Sequence, residues 1–277
     1  MLLKKIVFGI PRRLRAFGIY AARWVRYWRW YPFYRIYYHC LDALARRHML
    51  VLTPFNLRCY ARGAEYHPEF DSIVKAKQFG MLHPEVLLLL RYFALGVRGA
   101  VFEIGAFTGS ATVVLAKALK EAGGGPYFSA EAGGVKEHPI LATNDIFADL
   151  ERHVREHGVS DAVVLLNGRS HFPHIHQTIA AGTKSAGIGL LVVDADGRVQ
   201  RDLEAYGPLL NDGCLLVVDD YLIEAAENNY KMGLVKPYLD GEVAAGRLQL
   251  FGVFGFSTWV GRYWEPVNGH TREGKSN

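Results

Sequence analysis

Cysteine is scarce in this 277-residue chain: only Cys40, Cys59 and Cys214 occur, and no two of them have the CxxC spacing. An odd number of cysteines without that spacing argues against a disulfide framework and a zinc site, and it favours a reducing compartment. No window of about 18 or more uncharged apolar residues occurs, so the sequence predicts no transmembrane helix. The first residues lack the apolar core and cleavage site of a signal peptide. We therefore expect a cytoplasmic protein.

Acidic residues are nearly absent from the N-terminal part of the chain. Residues 1–62 contain 13 Lys and Arg but one acid, Asp42, which gives this part a net charge of +12 and leaves −7 for the rest. On a helical wheel, an apolar face (Ile6, Ile10, Leu14, Phe17, Ala21, Trp24 and Trp28) lies opposite a basic face (Lys4, Arg12, Arg15, Arg23, Arg26 and Arg29). Pro11 can kink this helix and Pro32 should end it, so the sequence predicts a basic amphipathic helix over residues 12–31.

This helix has the composition of a segment that lies on an anionic membrane surface. Aromatic rings sit at the boundary between headgroups and acyl chains, and guanidinium groups meet lipid phosphates. Two other interpretations stay open: the aromatic face packs against the rest of the protein or a second subunit of a homo-oligomer, or the basic face binds nucleic acid. We expect peripheral association with the inner face of the cell membrane and no nucleic acid.

The rest of the chain alternates between predicted helices and strands. A helical arm over residues 1–62 precedes a helical cap over 63–98; helices are predicted at 41–49 in the arm and at 68–78 and 84–95 in the cap. A larger domain over 99–265 precedes a flexible tail, 266–277. Predicted strands are 100–104, 126–130, 162–166, 188–193, 214–218, 248–254 and 256–260, and predicted helices are 110–122, 144–157, 174–183, 200–210 and 222–245. This order predicts an α/β fold: a doubly wound, mostly parallel seven-stranded sheet that ends in an antiparallel hairpin, with an N-terminal helical basic and aromatic extension.

Residues 100–110, AVFEIGAFTGS, are the centre of this prediction. An apolar strand carries Glu103 near its end, Gly105 and Gly109 form a turn, and a helix begins at Ser110. Backbone N–H groups and the helix dipole converge at such a turn, which favours a nucleotide-like ligand. The GxxxG spacing matches neither the dinucleotide-binding turn nor the P-loop, and by itself it is equally compatible with plain packing of a strand on a helix.

Acidic residues mark the ends of three later strands. Glu131 follows the second strand, Asp194 and Asp196 lie in VVDADG after the fourth, and Asp219 and Asp220 lie in VVDDY after the fifth. Together with FEIGAFTGS, these motifs resemble those of the class I S-adenosylmethionine-dependent methyltransferases. The resemblance is strongest to the metal-dependent O-methyltransferases of the macrocin-type sugar group and the catechol and caffeoyl-CoA group, and it covers residues 80–263.

The resemblance implies a binding site for S-adenosylmethionine. Its residues would be Glu103, Gly105, Gly109, Ser110, Glu131, Asn167, Gly168, Ser170 and Asp194. The carboxylate of Glu131 would accept hydrogen bonds from both ribose hydroxyls. The three residues after the third strand, Asn167, Gly168 and Ser170, would lie near the adenine.

The resemblance also implies a divalent metal site. Asp194, Asp219 and Asp220 would hold Mg²⁺ or a similar ion, which relieves the repulsion between their carboxylates and lowers the pKa of the acceptor hydroxyl. Asp219 and Asp220 can both reach one ion only if the chain turns there; solvated acids without a metal are the alternative. The Lys or His that relatives place three residues after the first metal aspartate is Gly197 here. Asp196 is therefore the predicted general base, and a more distant base, His171 or His174, stays open as the alternative.

These motifs lead us to expect an O-methyltransferase that acts on a sugar hydroxyl of a glycan, glycolipid or glycosylated metabolite. The membrane-seeking helix favours a lipid-linked acceptor. One alternative acceptor is a small catechol or phenol. From another class, the chain could be a membrane-bound interaction protein with a vestigial cofactor site. A nucleic-acid methyltransferase would be expected to carry an Asn-Pro-Pro-Tyr-type motif for a flipped base, and the sequence has none.

Overall fold

The computed structural model describes residues 32–222 and 233–264. The predicted amphipathic helix, 12–31, and the predicted tail, 266–277, lie outside these ranges. The described helices are α1 (residues 32–45), α2 (Pro54–Arg62), α3 (Phe70–Lys77), α4 (Pro84–Gly96), α5 (Ser110–Glu121), α6 (Ile146–Glu156), α7 (Pro173–Thr183), α8 (Val199–Tyr206) and α9 (Val235–Ala244). The strands are β1 (Ala100–Ile104), β2 (Tyr127–Glu131), β3 (Val164–Asn167), β4 (Ile188–Val193), β5 (Leu210–Val218), β6 (Leu248–Phe254) and β7 (Thr258–Tyr263).

The strands form one seven-stranded sheet in the order β3-β2-β1-β4-β5-β7-β6. Strands β1 to β5 are parallel, and β7 is antiparallel to both β5 and β6. The predicted α/β fold with its terminal hairpin is therefore confirmed. The two central strands, β1 and β4, are buried along their whole length, which is why both consist almost entirely of apolar residues. The strand order reverses between them, so a crevice opens at their carboxyl ends.

Helices cover both faces of the sheet. One core lies between the sheet and α4 and α5, and the other lies between the sheet and α7, α8 and α9. Helix α4 is buried from Val86 to Gly96 because α2 and α3 cover its outer side. A helix that is apolar on all sides is stable only in such a position.

Residues 32–62, the described part of the predicted N-terminal arm, pack into the first of these cores. Tyr38 is fully buried and donates a hydrogen bond to the carbonyl oxygen of Tyr60 (2.7 Å). Below it, the carboxylate of Asp42 accepts hydrogen bonds from Tyr60 and Arg91, each at 2.7 Å. Burial alone would raise the pKa of Asp42, but hydrogen bonds and nearby positive charge outweigh it and lower the pKa to about 2. A buried ion pair thus attaches α1 to α4.

Some element boundaries differ from the predictions. Helix α2 is not predicted, although Thr53 caps it by accepting a hydrogen bond from the N–H of Asn56 (3.1 Å). Helix α8 ends at Tyr206 rather than at residue 210, because Pro208 has no N–H to continue it and a 3₁₀ turn follows. Strand β5 begins at Leu210 rather than at residue 214. Of the helix predicted over 222–245, residues 223–232 lie outside the described ranges, and α9 covers most of the remainder.

Candidate functional site

The carboxyl ends of β1, β2, β3 and β4 surround a crevice of about 270 Å³. The predicted site residues that line it are Gly105, Glu131, Gly168, Ser170, Asp194 and Asp196. It is also lined by Met81, Phe107, Lys136, Ile146, Arg169 and Arg201, none of which the sequence analysis assigned to the site. Most of these reach the crevice from loops or helix starts, where no periodic pattern identifies them. Arg169 and Arg201 could have been predicted from their closeness in sequence to other predicted site residues.

The turn after β1 has a backbone shape that favours glycine. Gly105 and Gly109 have φ angles of +86° and +96°, a region that residues with a Cβ rarely adopt. A Cβ on Gly105 would overlap the backbone carbonyl oxygen of Asp194, because β1 and β4 are adjacent at this point. Gly105 therefore permits the close approach of two strand ends.

Glu131, the last residue of β2, is held at the wall of the crevice by two backbone donors. The N–H of Phe107 donates to its Oε2 (2.7 Å), and the N–H of Gly133 donates to its Oε1 (3.0 Å). These bonds fix the carboxylate between the turn after β1 and the loop after β2. An ionised carboxylate is only an acceptor, so it suits hydroxyl donors such as those of a ribose.

Glu103 is fully buried in β1, and its hydrogen bonds stabilise the elements next to the crevice. Its Oε2 accepts hydrogen bonds from the hydroxyls of Thr112 (2.6 Å), Tyr127 (2.7 Å) and Ser129 (2.7 Å). Burial raises the pKa of Glu103, although the three hydrogen bonds oppose this shift. Glu103 also borders a cavity of about 20 Å³ together with the buried Ser110, another predicted cofactor residue. The observed contacts join β1, β2 and α5, and direct contact with a cofactor remains a prediction.

The segment after β3 supplies part of the crevice wall. The N–H of Gly168 donates to the carbonyl oxygen of Glu131 (2.9 Å), which extends the pairing of β2 and β3. The buried hydroxyl of Ser170 donates to Oδ1 of Asp202 (2.6 Å). Asn167 is exposed and does not line the crevice. Of the three predicted adenine contacts, the structure therefore brings two to the crevice.

The predicted metal aspartates follow neighbouring parallel strands. The N–H of Asp194 donates to the carbonyl oxygen of Ile104 (2.9 Å), and the N–H of Asp219 donates to that of Val193 (3.0 Å). Both aspartates thus lie directly beyond the paired ends of β4 and β5. Asp220 has a φ angle of +62°, so the chain does turn there, as ligation by both acids would require.

The aspartate side chains nevertheless do not form a metal centre as they are placed. Within residues 32–222 and 233–264, no group of three or more His, Cys, Asp or Glu side chains is arranged to hold a metal ion. Oδ1 of Asp219 accepts a hydrogen bond from the hydroxyl of Thr258 (2.5 Å), and of the three acids only Asp194 lines the crevice. The arrangement therefore does not fit a preformed magnesium site, and we derive no chemical step through a metal.

Asp196, the predicted general base, is ion-paired with Arg201. Nη1 of Arg201 donates to Oδ2 (2.8 Å), Nη2 donates to Oδ1 (3.1 Å), and the N–H of Arg198 donates to Oδ1 (3.2 Å). Burial acts to raise the pKa of Asp196, but the hydrogen bonds and positive charge of Arg201 and Arg198 lower it below its usual range. A carboxylate with a lowered pKa accepts a proton less readily, so this ion pair weakens Asp196 as a base.

Comparison with known proteins finds a methyltransferase match that includes the strands around the crevice. Residues 102–221 match a protein family described as a methyltransferase domain. Similar solved structures include the O-methyltransferase TomG from Streptomyces achromogenes, involved in tomaymycin synthesis and in complex with SAM (17% identity, 70% of this chain and 90% of that chain covered, TM-score 0.51). Others are an O-methyltransferase from Bacillus cereus in complex with SAH (13%, 75% and 91%, 0.50) and CalS11, a calicheamicin methyltransferase (16%, 76% and 91%, 0.50). At these identities the solved structures show a shared fold. No curated protein matches the chain.

Proposed function

This chain carries a class I methyltransferase domain, and from its site we propose that it is an S-adenosylmethionine-dependent O-methyltransferase that acts on a sugar hydroxyl at an anionic membrane surface. The observation that carries the proposal is the geometry of Glu131. Two backbone donors fix its carboxylate beside the glycine turn, at the carboxyl ends of parallel strands. Nucleoside ligands bind at this position in open α/β sheets, and a carboxylate there can hold both ribose hydroxyls.

S-adenosylmethionine, when bound, supplies an electrophilic methyl carbon on a sulfonium sulfur. The methyl group would pass to the acceptor hydroxyl oxygen with S-adenosylhomocysteine as the leaving group, and Asp196 would accept the hydroxyl proton. Arg201 holds Asp196 in one orientation and also lowers its pKa, which makes Asp196 a weaker base. Glu131 would hold the ribose, and Gly168 and Ser170 would border the adenine. Most of the rate enhancement would then come from positioning the two reactants in line.

A pocket beside the crevice supports a sugar as the acceptor. It has a volume of about 240 Å³ and shares Arg201 with the crevice, so a ligand in it would lie next to Asp196. Its other walls include Arg198, Gln200, Glu204 and Tyr238. Guanidinium, amide and carboxylate groups exchange hydrogen bonds with sugar hydroxyls, and an aromatic ring can cover an apolar sugar face. A catechol or phenol would instead favour mainly aromatic walls.

A divalent metal and a membrane surface complete the proposal. The metal rests on the sequence motif alone: Asp194 and Asp219 end adjacent strands, but their side chains would have to rearrange to hold an ion. Membrane association is supported by the net charge of +12 in residues 1–62 and by exposed apolar side chains of α1 and α2. Phe33, Ile36 and Phe55 are 57%, 65% and 78% exposed. In the part of the chain that the structure describes, no helix has the length and apolar character needed to cross a bilayer.

The cofactor assignment is tested by calorimetric titration with S-adenosylhomocysteine. Glu131→Gln removes the charge but keeps the shape, and the loss of a hydrogen bond to a charged group should weaken binding by about tenfold or more. Glu137→Gln is the matched control, because Glu137 is exposed in the loop that follows β2. Equal affinity in both variants, or no binding by the unmodified chain, would contradict the assignment.

The membrane assignment is tested by sedimentation with anionic vesicles at moderate salt. A chain that begins near Gly63 is unsuitable for this test, because it would lack the core residues Tyr38 and Asp42. Replacing Arg23, Arg26 and Arg29 by glutamine should weaken binding about 100-fold, since each basic residue near such a surface contributes about 1 kcal/mol. Replacing three arginines of the catalytic domain, Arg152, Arg155 and Arg247, is the control. Equal effects of the two triple replacements would refute the assignment.

A further inference from the structure

A second cleft, of about 530 Å³, lies at the opposite end of the sheet from the crevice. It is formed where β1, β4 and β5 begin, and its walls include Arg98, Gly189 and Asn211. Strand β4 has six residues, so the cleft and the crevice are about 20 Å apart at a rise of about 3.3 Å per residue. A ligand in this cleft therefore cannot contact the proposed reacting groups.

Two arginines against one described acid, Asp212, give the cleft a net positive charge. Arg98 is exposed, and neither Arg98 nor Arg262 makes an ion pair within the described ranges. The guanidinium of Arg262 lies against the rings of Phe251 (5.4 Å) and Trp264 (5.1 Å), and its buried Nε has no hydrogen-bond partner. Burial lowers the pKa of Arg262, and Asp212, the one acid among the described residues that line the cleft, only partly offsets this shift. The site therefore favours an anion.

We propose that this cleft is a second binding site, for a ligand that carries a phosphate or diphosphate group bound by Arg98 and Arg262. The planar guanidinium matches phosphate geometry, and a phosphate has enough oxygens to accept hydrogen bonds from two guanidinium groups at once. Leu50, Leu52 and Trp264 supply apolar walls for the organic part of the ligand. The cleft has room for more than an inorganic ion, since it is about twice the volume of the crevice.

The phosphate can come from a lipid headgroup or from a soluble phosphate ester. Both sources share the same contact chemistry, and they differ in whether the ligand is presented by a bilayer. His48 also lines the cleft, and the exposed residues Arg47 and Met49 flank it in sequence. An aliphatic and a basic side chain beside such a cleft suit a headgroup at the surface of a bilayer.

The test is a calorimetric titration of the full-length chain with pyrophosphate, in the presence of S-adenosylhomocysteine so that the crevice is filled. We expect saturable binding of one pyrophosphate per chain, weakened about tenfold or more in Arg98→Gln and in Arg262→Gln. Arg155→Gln is the matched control, because Arg155 is likewise exposed but lies on α6, away from the cleft. Binding that is not saturable, or an equal loss in Arg155→Gln, would overturn the proposal.

Two further measurements make the result interpretable. Melting temperatures show whether Arg262→Gln unfolds the protein. If it does, the effect of Arg98→Gln on pyrophosphate binding alone tests the proposal, because the side chain of Arg98 is exposed. Vesicles of phosphatidylcholine with phosphatidic acid separate the two sources. If pyrophosphate displaces the chain from these vesicles, and this competition is lost in Arg98→Gln, the ligand is a lipid headgroup. If pyrophosphate binds but does not compete with the vesicles, the ligand is a soluble phosphate ester. If S-adenosylhomocysteine fails to bind, the proposed function fails, while the effect of Arg98→Gln on pyrophosphate still decides the cleft.

Discussion

Replacing Gly105 by alanine tests whether the glycine turn serves the close approach of β1 and β4. At its φ of +86°, a residue with a Cβ is strained by roughly 1–2 kcal/mol. The new methyl group would also overlap the carbonyl oxygen of Asp194, which is held in place because the N–H of Asp194 donates to Ile104 (2.9 Å). Overpacking of this kind costs about 1–3 kcal/mol. We therefore expect the free energy of unfolding to fall by about 2–5 kcal/mol.

Gly124→Ala is the matched control for this experiment. Gly124 has a similar φ of +91°, but nothing lies within 4 Å of the Cβ that alanine would add. In a domain of this size, about 1 kcal/mol corresponds to about 2–4 °C in melting temperature, so the control should melt roughly 2–8 °C lower and Gly105→Ala roughly 4–20 °C lower. Differential scanning calorimetry measures both shifts. Affinity for S-adenosylhomocysteine should fall in Gly105→Ala alone, because the displaced Asp194 lines the crevice.

Equal melting temperatures for the two variants would refute this reasoning. The overlap with Asp194 would then carry no energetic consequence, and the glycine would be needed only for its backbone conformation. Unchanged affinity for S-adenosylhomocysteine in a destabilised Gly105→Ala variant would separate the two roles. The turn would then stabilise the junction of the strands without shaping the cofactor site.

Four further outcomes follow from the site and from the N-terminal core. Asp196→Asn should lower turnover by roughly 10²–10⁴ and leave cofactor affinity unchanged. A trivial loss of turnover would show that the base lies elsewhere. Arg201→Gln should raise the pKa of Asp196 and therefore move the acidic limb of the pH–rate profile to higher pH. If an ion draws Asp194 and Asp219 together, excess chelator should abolish turnover and Mg²⁺ should restore it, except in Asp219→Ala. Full activity in chelator would show that the aspartates act as they are placed, without a metal. The pKa of Asp42 is about 2 when folded against an ordinary 3.8, so its contribution of roughly 2–3 kcal/mol is present above pH 4 and lost as the pH falls towards 2. Urea unfolding at pH 7, 4 and 2 checks this, because Asp42→Asn should lose that part of the pH dependence.

The sequence by itself determined the sheet and the position of the crevice. The predicted bounds of β1 and β4 agree with the structure because both strands are buried on two faces, so each is a continuous apolar run that stops where the chain reaches polar residues. The turn at Gly105 and the hairpin at Gly255 could also be predicted from the sequence, because glycine marks positions of unusual backbone conformation. Both glycines have positive φ angles, +86° and +59°, which few other residues adopt without strain.

Only the tertiary structure decided which partners the polar side chains have. Asp219 accepts a hydrogen bond from Thr258, 39 residues away. Tyr38 donates a hydrogen bond to Tyr60, so the chain segment whose composition is most typical of membrane binding continues into a buried core. Asp196 is paired with Arg201, which changes the basicity of a residue that the motif alone presented as a simple base. A sequence motif specifies which ionisable groups are present, but their pKa values and orientations depend on burial and on neighbouring charges, and packing between distant segments sets both.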